Sequence, residues 1–97
     1  MNGRERILTA LAHGETDRVP RDLGSTNVTS IAARAYHRLR KHLRLPDGPV
    51  PLLDLAQVIA EVEPDLQDRL DVDAVALPPL RHAYGGYGRP RTPWTLP

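Results

Sequence analysis

The side chains best suited to gripping a small polar molecule sit at Asp22 and at Gly24, Ser25, Thr26 and Asn27. A glycine followed by two hydroxyls and an amide can offer backbone N–H groups and O–H donors to an anion. Asp22 beside them can orient a substrate. The same residue types also build an ordinary capped turn between two elements, because Asp, Asn, Ser and Gly each favour turns for their own physical reasons. A single glycine makes the pattern much weaker than a phosphate-binding loop. His82, flanked by Arg81 and Tyr84, is the other residue that chemistry would favour. These six are the candidate substrate-binding residues, and the sequence assigns no catalytic residue. The four histidines, at 13, 37, 42 and 82, show no metal-ligand spacing; His37 and His42 are five apart, not the four that would share a helical face. There is no cysteine, so no thiolate site and no disulfide.

Two charge features stand beside these. Asp73 interrupts an apolar run, and an acid there is costly to bury unless it is paired, for example with an arginine. Arg34, Arg38, Arg40, Lys41 and Arg44 make one segment strongly basic. They fit a solvated outer helix face, which the acidic stretch 54–73 can neutralise. The absence of interleaved aromatics disfavours a nucleic-acid partner.

The elements that would position these residues follow from periodicity. Asn2 and Glu5 predict a capped helix start, with Ile7, Leu8 and Leu11 on one stripe, running from Gly3 to His13 and closed by Gly14. Residues 18–23 read as a short strand, with Pro20 suited to an edge. Ile31, Ala35, Leu39 and Leu43 predict a second helix, capped by Thr29 or Ser30, with Ala32 and Tyr36 beside the stripe. A third helix is expected from Asp54, burying Leu55, Val58, Ile59 and Val62. Pro64 suits the first turn of a short fourth helix, with Leu66 and Leu70 inward. Residues 72–77 read as a buried strand. Half of the ten prolines fall in residues 78–97, expected to be a Pro/Gly-rich loop or tail.

Charge is uneven along the 97 residues: +5 over 1–46, −7 over 47–77 and +3 over 78–97. Phenylalanine is absent, so any core must be built from Leu, Val, Ile and Ala. No apolar run approaches the ~20 residues of a membrane span, and residues 1–6 lack the apolar core of a signal peptide. No membrane partner and a cytoplasmic location are therefore expected.

The order of motifs resembles the N-terminal part of the uroporphyrinogen decarboxylase superfamily. The resemblance is carried by Arg4-Glu5-Arg6-Ile7-Leu8 with Ala10, Leu11 and His13, by Asp17-Arg18-Val19-Pro20, and by Asp22-Leu23-Gly24-Ser25-Thr26. Thr29-Ser30-Ile31, Ala35-Tyr36 with Leu39, Asp54-Leu55 with Gln57, Ala60-Glu61-Val62 and Leu70 with Val72-Asp73 continue it. It implies an α/β fold: the N-terminal fragment of a (β/α)8 barrel, with helices packed on about two short strands over residues 1–77. Such barrels need ~250 residues and place their active sites at the C-terminal ends of the strands. The loop 24–27 and the loop from Pro78 would then lie at the catalytic mouth.

The family holds two chemistries. True decarboxylases of tetrapyrrole acetates carry an Arg-Gln-Ala-Gly-Arg stretch after strand one; here that place holds Ser25-Thr26-Asn27-Val28-Thr29, with no cation. Their essential acid after strand two would fall near Pro79-Leu80, which offers none. Ser or Thr cannot replace the bidentate arginine fork that grips carboxylates. The Asp-Leu-Gly-Ser-Thr strand is similar to the branch that moves methyl groups between a corrinoid protein and a thiol. A full-length relative of that type would use zinc, with ligands beyond this chain, and a corrinoid partner; no cofactor is expected within these residues. The expected partner of the full enzyme is a small molecule, a tetrapyrrole or a methyl donor. The 97 residues alone are expected to be inactive. The alternatives are a small stand-alone interaction module using the basic helix, or a truncated non-functional product.

Overall fold

Asn2 and Glu5 open the first helix by capping each other. The Asn2 side chain accepts the Glu5 N–H and the Glu5 carboxylate accepts the Asn2 N–H, both at 2.9 Å. In the computed structural model, which describes residues 1–77 together with 93 and 94, α1 then spans Gly3–Leu11. It ends two residues before the expected His13. His13, not Gly14, takes the left-handed conformation, at φ 59°. The two closing bonds of a Schellman motif are present, Gly14 N–H to Thr9 C=O at 2.9 Å and His13 N–H to Ala10 C=O at 3.0 Å. Gly14 serves close approach instead, since a Cβ there would sit 2.9 Å from the Thr9 methyl.

The other two helices close the same way. α2 spans Ala33–His42 and α3 spans Pro64–Arg69, with Pro64 in the first turn as expected. Arg44 (φ 58°) and Asp71 (φ 50°) hold the left-handed positions after them. Leu45 N–H reaches Arg40 C=O and Val72 N–H reaches Gln67 C=O, both at 3.0 Å. The cap of α2 differs from expectation: Ala32 occupies the position and no side chain caps it. Thr29 is engaged with Thr26, and Ser30 donates to the Ala60 carbonyl at 2.6 Å. Its buried stripe is also shifted, to Ala33, Tyr36 and Arg40, while Ala35 is exposed.

The third expected helix is instead a β-hairpin. β1 (Val50–Asp54) pairs antiparallel with β2 (Ile59–Ala60), with an irregularity between Leu52 and Asp54. Asp54 accepts the N–H groups of Ala56 and Gln57 at 2.9 and 3.0 Å, a side-chain-closed turn rather than a helix cap. Val58, which the helix would have buried, has φ 55° and is partly exposed. A two-residue β3 (Pro93–Trp94) pairs antiparallel with Val50 and Pro51, giving the sheet order β2-β1-β3. The expectation of an unbroken loop from 78 is corrected at those two residues; the remainder lies outside the described residues.

The result is a small mixed α/β fold, with helices packed on an antiparallel sheet and no barrel among the described residues. The core is Ala33, Tyr36, Val50, Leu52, Ala60, Val62 and Leu66, with Leu39, Leu43 and Leu70 half-buried around it. Neither expected strand forms. Residues 18–23 and 72–77 are irregular, and Val19, Val75 and Leu77 are 80%, 69% and 93% exposed. A strand needs a neighbour for its N–H and C=O groups. Here one backbone–backbone hydrogen bond links the two segments, the Asp73 N–H donating to the Arg21 carbonyl at 2.8 Å. No helix among the described residues is long and apolar enough to cross a membrane.

Candidate functional site

The loop 22–29 is held by its own polar groups. Asp22 accepts the Ser25 N–H at 3.1 Å and the Ser25 hydroxyl at 2.5 Å. Thr26 and Thr29 clasp each other: each hydroxyl accepts the other's N–H, at 3.1 and 3.2 Å. Gly24 N–H donates to Thr29 C=O at 3.1 Å. The amides of Gly24, Ser25 and Thr26 are therefore committed within the loop, and their offer to an anion is already used. Gly24 is required here on two counts. Its φ is +98°, and a Cβ would sit 2.6 Å from a Val62 methyl carbon. The glycine thus lets the loop settle on the core at Val62.

Asn27 carries the loop to the hairpin turn. Its amide donates to Asp54 Oδ2 at 3.2 Å. The Gln57 N–H, then Asn27, then the Ala56 N–H hold the Asp54 carboxyl below the usual carboxylate range. Asp22, Gly24, Ser25, Thr26, Asn27 and Asp54 thus form one polar rim, in which Asp22, Thr26 and Asn27 are exposed and Gly24 is buried. His82 lies outside the described residues. Asp54 was expected only as a helix cap; its membership of this rim is visible in sequence solely as an acid followed by Gln57.

A second polar cluster joins α1 to residues 71–73. The Asp73 side chain, 3% exposed, receives Arg6 Nη1 at 2.5 Å, Arg18 Nη1 at 2.8 Å and the Arg21 N–H at 2.8 Å. Arg6 also holds Asp17, through Nε at 2.7 Å and Nη2 at 3.0 Å. The Arg21 amide, and after it Arg18 and Arg6, lower the Asp73 carboxyl from 3.8 to about 2. A carboxylate so stabilised is a weak base, far from the pKa near neutrality that suits proton transfer. The open hollow of about 550 Å³ beside it is lined by Arg6, Arg18, Gln67, Asp71 and Asp73. Every buried side-chain N or O among the described residues has a hydrogen-bond partner. This cluster is a clasp: Asp73 is buried and paired with arginines, one of the readings its place in an apolar run left open.

The third cluster corrects the reading of Arg40 as an outer-face residue. Its side chain is buried, bidentate to Asp65 with both N···O distances 2.7 Å, and donates to the Pro46 carbonyl at 2.9 Å. Tyr36, fully buried, accepts the Glu63 N–H at 3.0 Å and donates to the Glu63 carboxylate at 2.9 Å. Burial, and with it the Glu63 carboxylate, push its phenol up to about 12 against the opposing pull of the Glu63 N–H. His13 and His42 are exposed, and His37 lies 3.7 Å from Asp47. Among the described residues no group of three His, Cys, Asp or Glu could hold a metal ion.

No family model, curated protein or solved structure matches this chain.

Proposed function

We propose that this chain is the opening segment of a uroporphyrinogen-decarboxylase-like barrel enzyme, in which the rim at 22–27 borders the substrate site. The carrying observation is the bond from the Asp73 N–H to the Arg21 carbonyl. It sets side by side the two segments that the motif order assigns to strands one and two. The exposed Val19, Val75 and Leu77 supply apolar flanks that neighbouring strands and helices would cover. Within this reading methyl transfer is favoured over tetrapyrrole decarboxylation, because the rim has hydroxyls and an amide where a carboxylate-gripping enzyme needs arginines. Alone, the 97 residues lack the several strand ends that barrel catalysis draws upon.

The test begins with the coding DNA past the codon for Pro97. An open frame of about 200 codons, giving a chain of barrel length, allows the longer protein to be expressed. It is then assayed for transfer from a methylcorrinoid to a thiol and for uroporphyrinogen decarboxylation. Methyl transfer is the expected activity. An immediate stop codon, or a long chain active in neither assay, removes the reading.

A further inference from the structure

Much of the acidic stretch expected to neutralise the basic helix is engaged elsewhere. Asp65 and Glu63 pair with the buried Arg40, Asp73 with Arg6 and Arg18, and Asp71 with Arg21. The side chains of Arg34, Arg38 and Lys41 are exposed and make no ion pair or hydrogen bond with any described residue. Residues 78–97 contain no Asp or Glu.

At roughly 100° per residue, these three cations fall within about 60° of arc on α2, on the side away from Ala33, Tyr36 and Arg40. They extend along about 10 Å of helix. Ala35 is the exposed apolar neighbour on this side, and it is too small to enter a bilayer. The stripe also lacks the aromatic anchor on which protein interfaces usually depend. What remains is a row of cations with no large apolar side chain beside it, the pattern that meets a phosphate backbone without reading its bases.

We infer that the outer face of α2, through Arg34, Arg38 and Lys41, is a sequence-independent docking surface for a nucleic-acid phosphate backbone. The site is separate from the polar rim and does not rest on the barrel reading.

The experiment is fluorescence anisotropy of the full 97-residue chain with a labelled DNA duplex across a salt series. Three phosphate contacts give a slope of log K against log salt of about −2.7, since each contributes about −0.9. The variant Arg34→Gln/Arg38→Gln/Lys41→Gln changes only exposed positions, and circular dichroism checks its helix content. It should lose that slope and bind at least about tenfold more weakly at low salt, and each single variant should lower the slope by about 0.9. A second, scrambled duplex should bind equally well. No duplex binding at low salt overturns the inference. So does a folded triple variant that keeps the wild-type slope, or binding confined to phosphatidylserine vesicles. Should the triple variant unfold, the three single variants decide the matter by the same slope criterion.

Discussion

Arg40 and Asp65 meet fork to fork, Nη1 on Oδ1 and Nη2 on Oδ2, across the gap between α2 and the start of α3. The same guanidinium closes the turn after α2 by donating to the Pro46 carbonyl, and it lies over the Tyr36 ring at 5.7 Å. One side chain thus ties two helices and a turn together. An ammonium cannot make the parallel pair. Arg40→Lys should therefore destabilise the fold by about 1–2 kcal/mol, a range kept low because Asp65 is partly solvated. Urea denaturation of the two proteins measures the difference.

Acid should undo the clasp at Asp73. Its carboxyl is depressed from 3.8 to about 2 in the folded chain, first by the Arg21 amide and then by Arg18 and Arg6. A group whose folded pKa lies below its unfolded one adds stability that is fully present above the unfolded value. That stability disappears as pH falls through the folded value. Stability should accordingly hold above about pH 4 and decline from there toward about 2. Asp17, lowered by Arg6, and Asp65, lowered by Arg40, act in the same direction. Thermal melts at a series of pH values check the window. Asp73→Asn should melt lower near neutrality and show a shallower acid dependence.

Gly24→Ala tests the seat of the polar rim on the core. The added carbon would meet Val62 at 2.6 and 2.9 Å, at a backbone angle that L-residues rarely adopt. A loss of about 1–3 kcal/mol is expected from overpacking and the left-handed cost. Chemical denaturation gives the value. The smaller Val62→Ala should recover part of the loss in the double variant, since it removes the methyl carbon at 2.6 Å while the Val62 Cβ at 2.9 Å stays.

Arg44→Gly should stabilise the protein. Arg44 closes α2 at φ 58° and its side chain is exposed, so glycine relieves the left-handed strain at the cost of extra freedom in the unfolded chain. A gain of up to about 1 kcal/mol is expected, read as a higher denaturation midpoint with an unchanged slope.

The parts of this fold set by short-range chemistry could be read from sequence. The Asn2–Glu5 box and Pro64 at a helix start each follow from a residue type and a near neighbour, and the need of Asp73 for a partner follows from its apolar context, though its arginines lie 52 to 67 residues away. The hairpin at 50–60 could not. Leu55, Val58, Ile59 and Val62 have helical spacing, and a carboxylate accepting N–H groups two and three residues on marks both a helix cap and the Asp54 turn. Arg40 was within reach, because it lies four residues after the buried Tyr36 and so shares its face. Segments 18–23 and 72–77 have strand-like composition, but a strand is defined by what its backbone pairs with, and here one backbone–backbone bond joins the two, the other links running through the Asp73 side chain. At the rim, the turn-forming role of Asp22 and Gly24 was legible. The link from Asn27 to Asp54, 27 residues away, belongs to the tertiary fold alone.

The Arg6–Asp73 contact also imposes an order in time. Its partners are 67 residues apart, so the N-terminal helix has no counter-charge at position 73 until most of the described chain has been made. At about 5–20 residues per second this separation is a wait of roughly 3 to 13 seconds during synthesis. Throughout it α1 is held by its capping box and by the early pair of Arg6 with Asp17, one arm of a guanidinium that the second carboxylate completes only later.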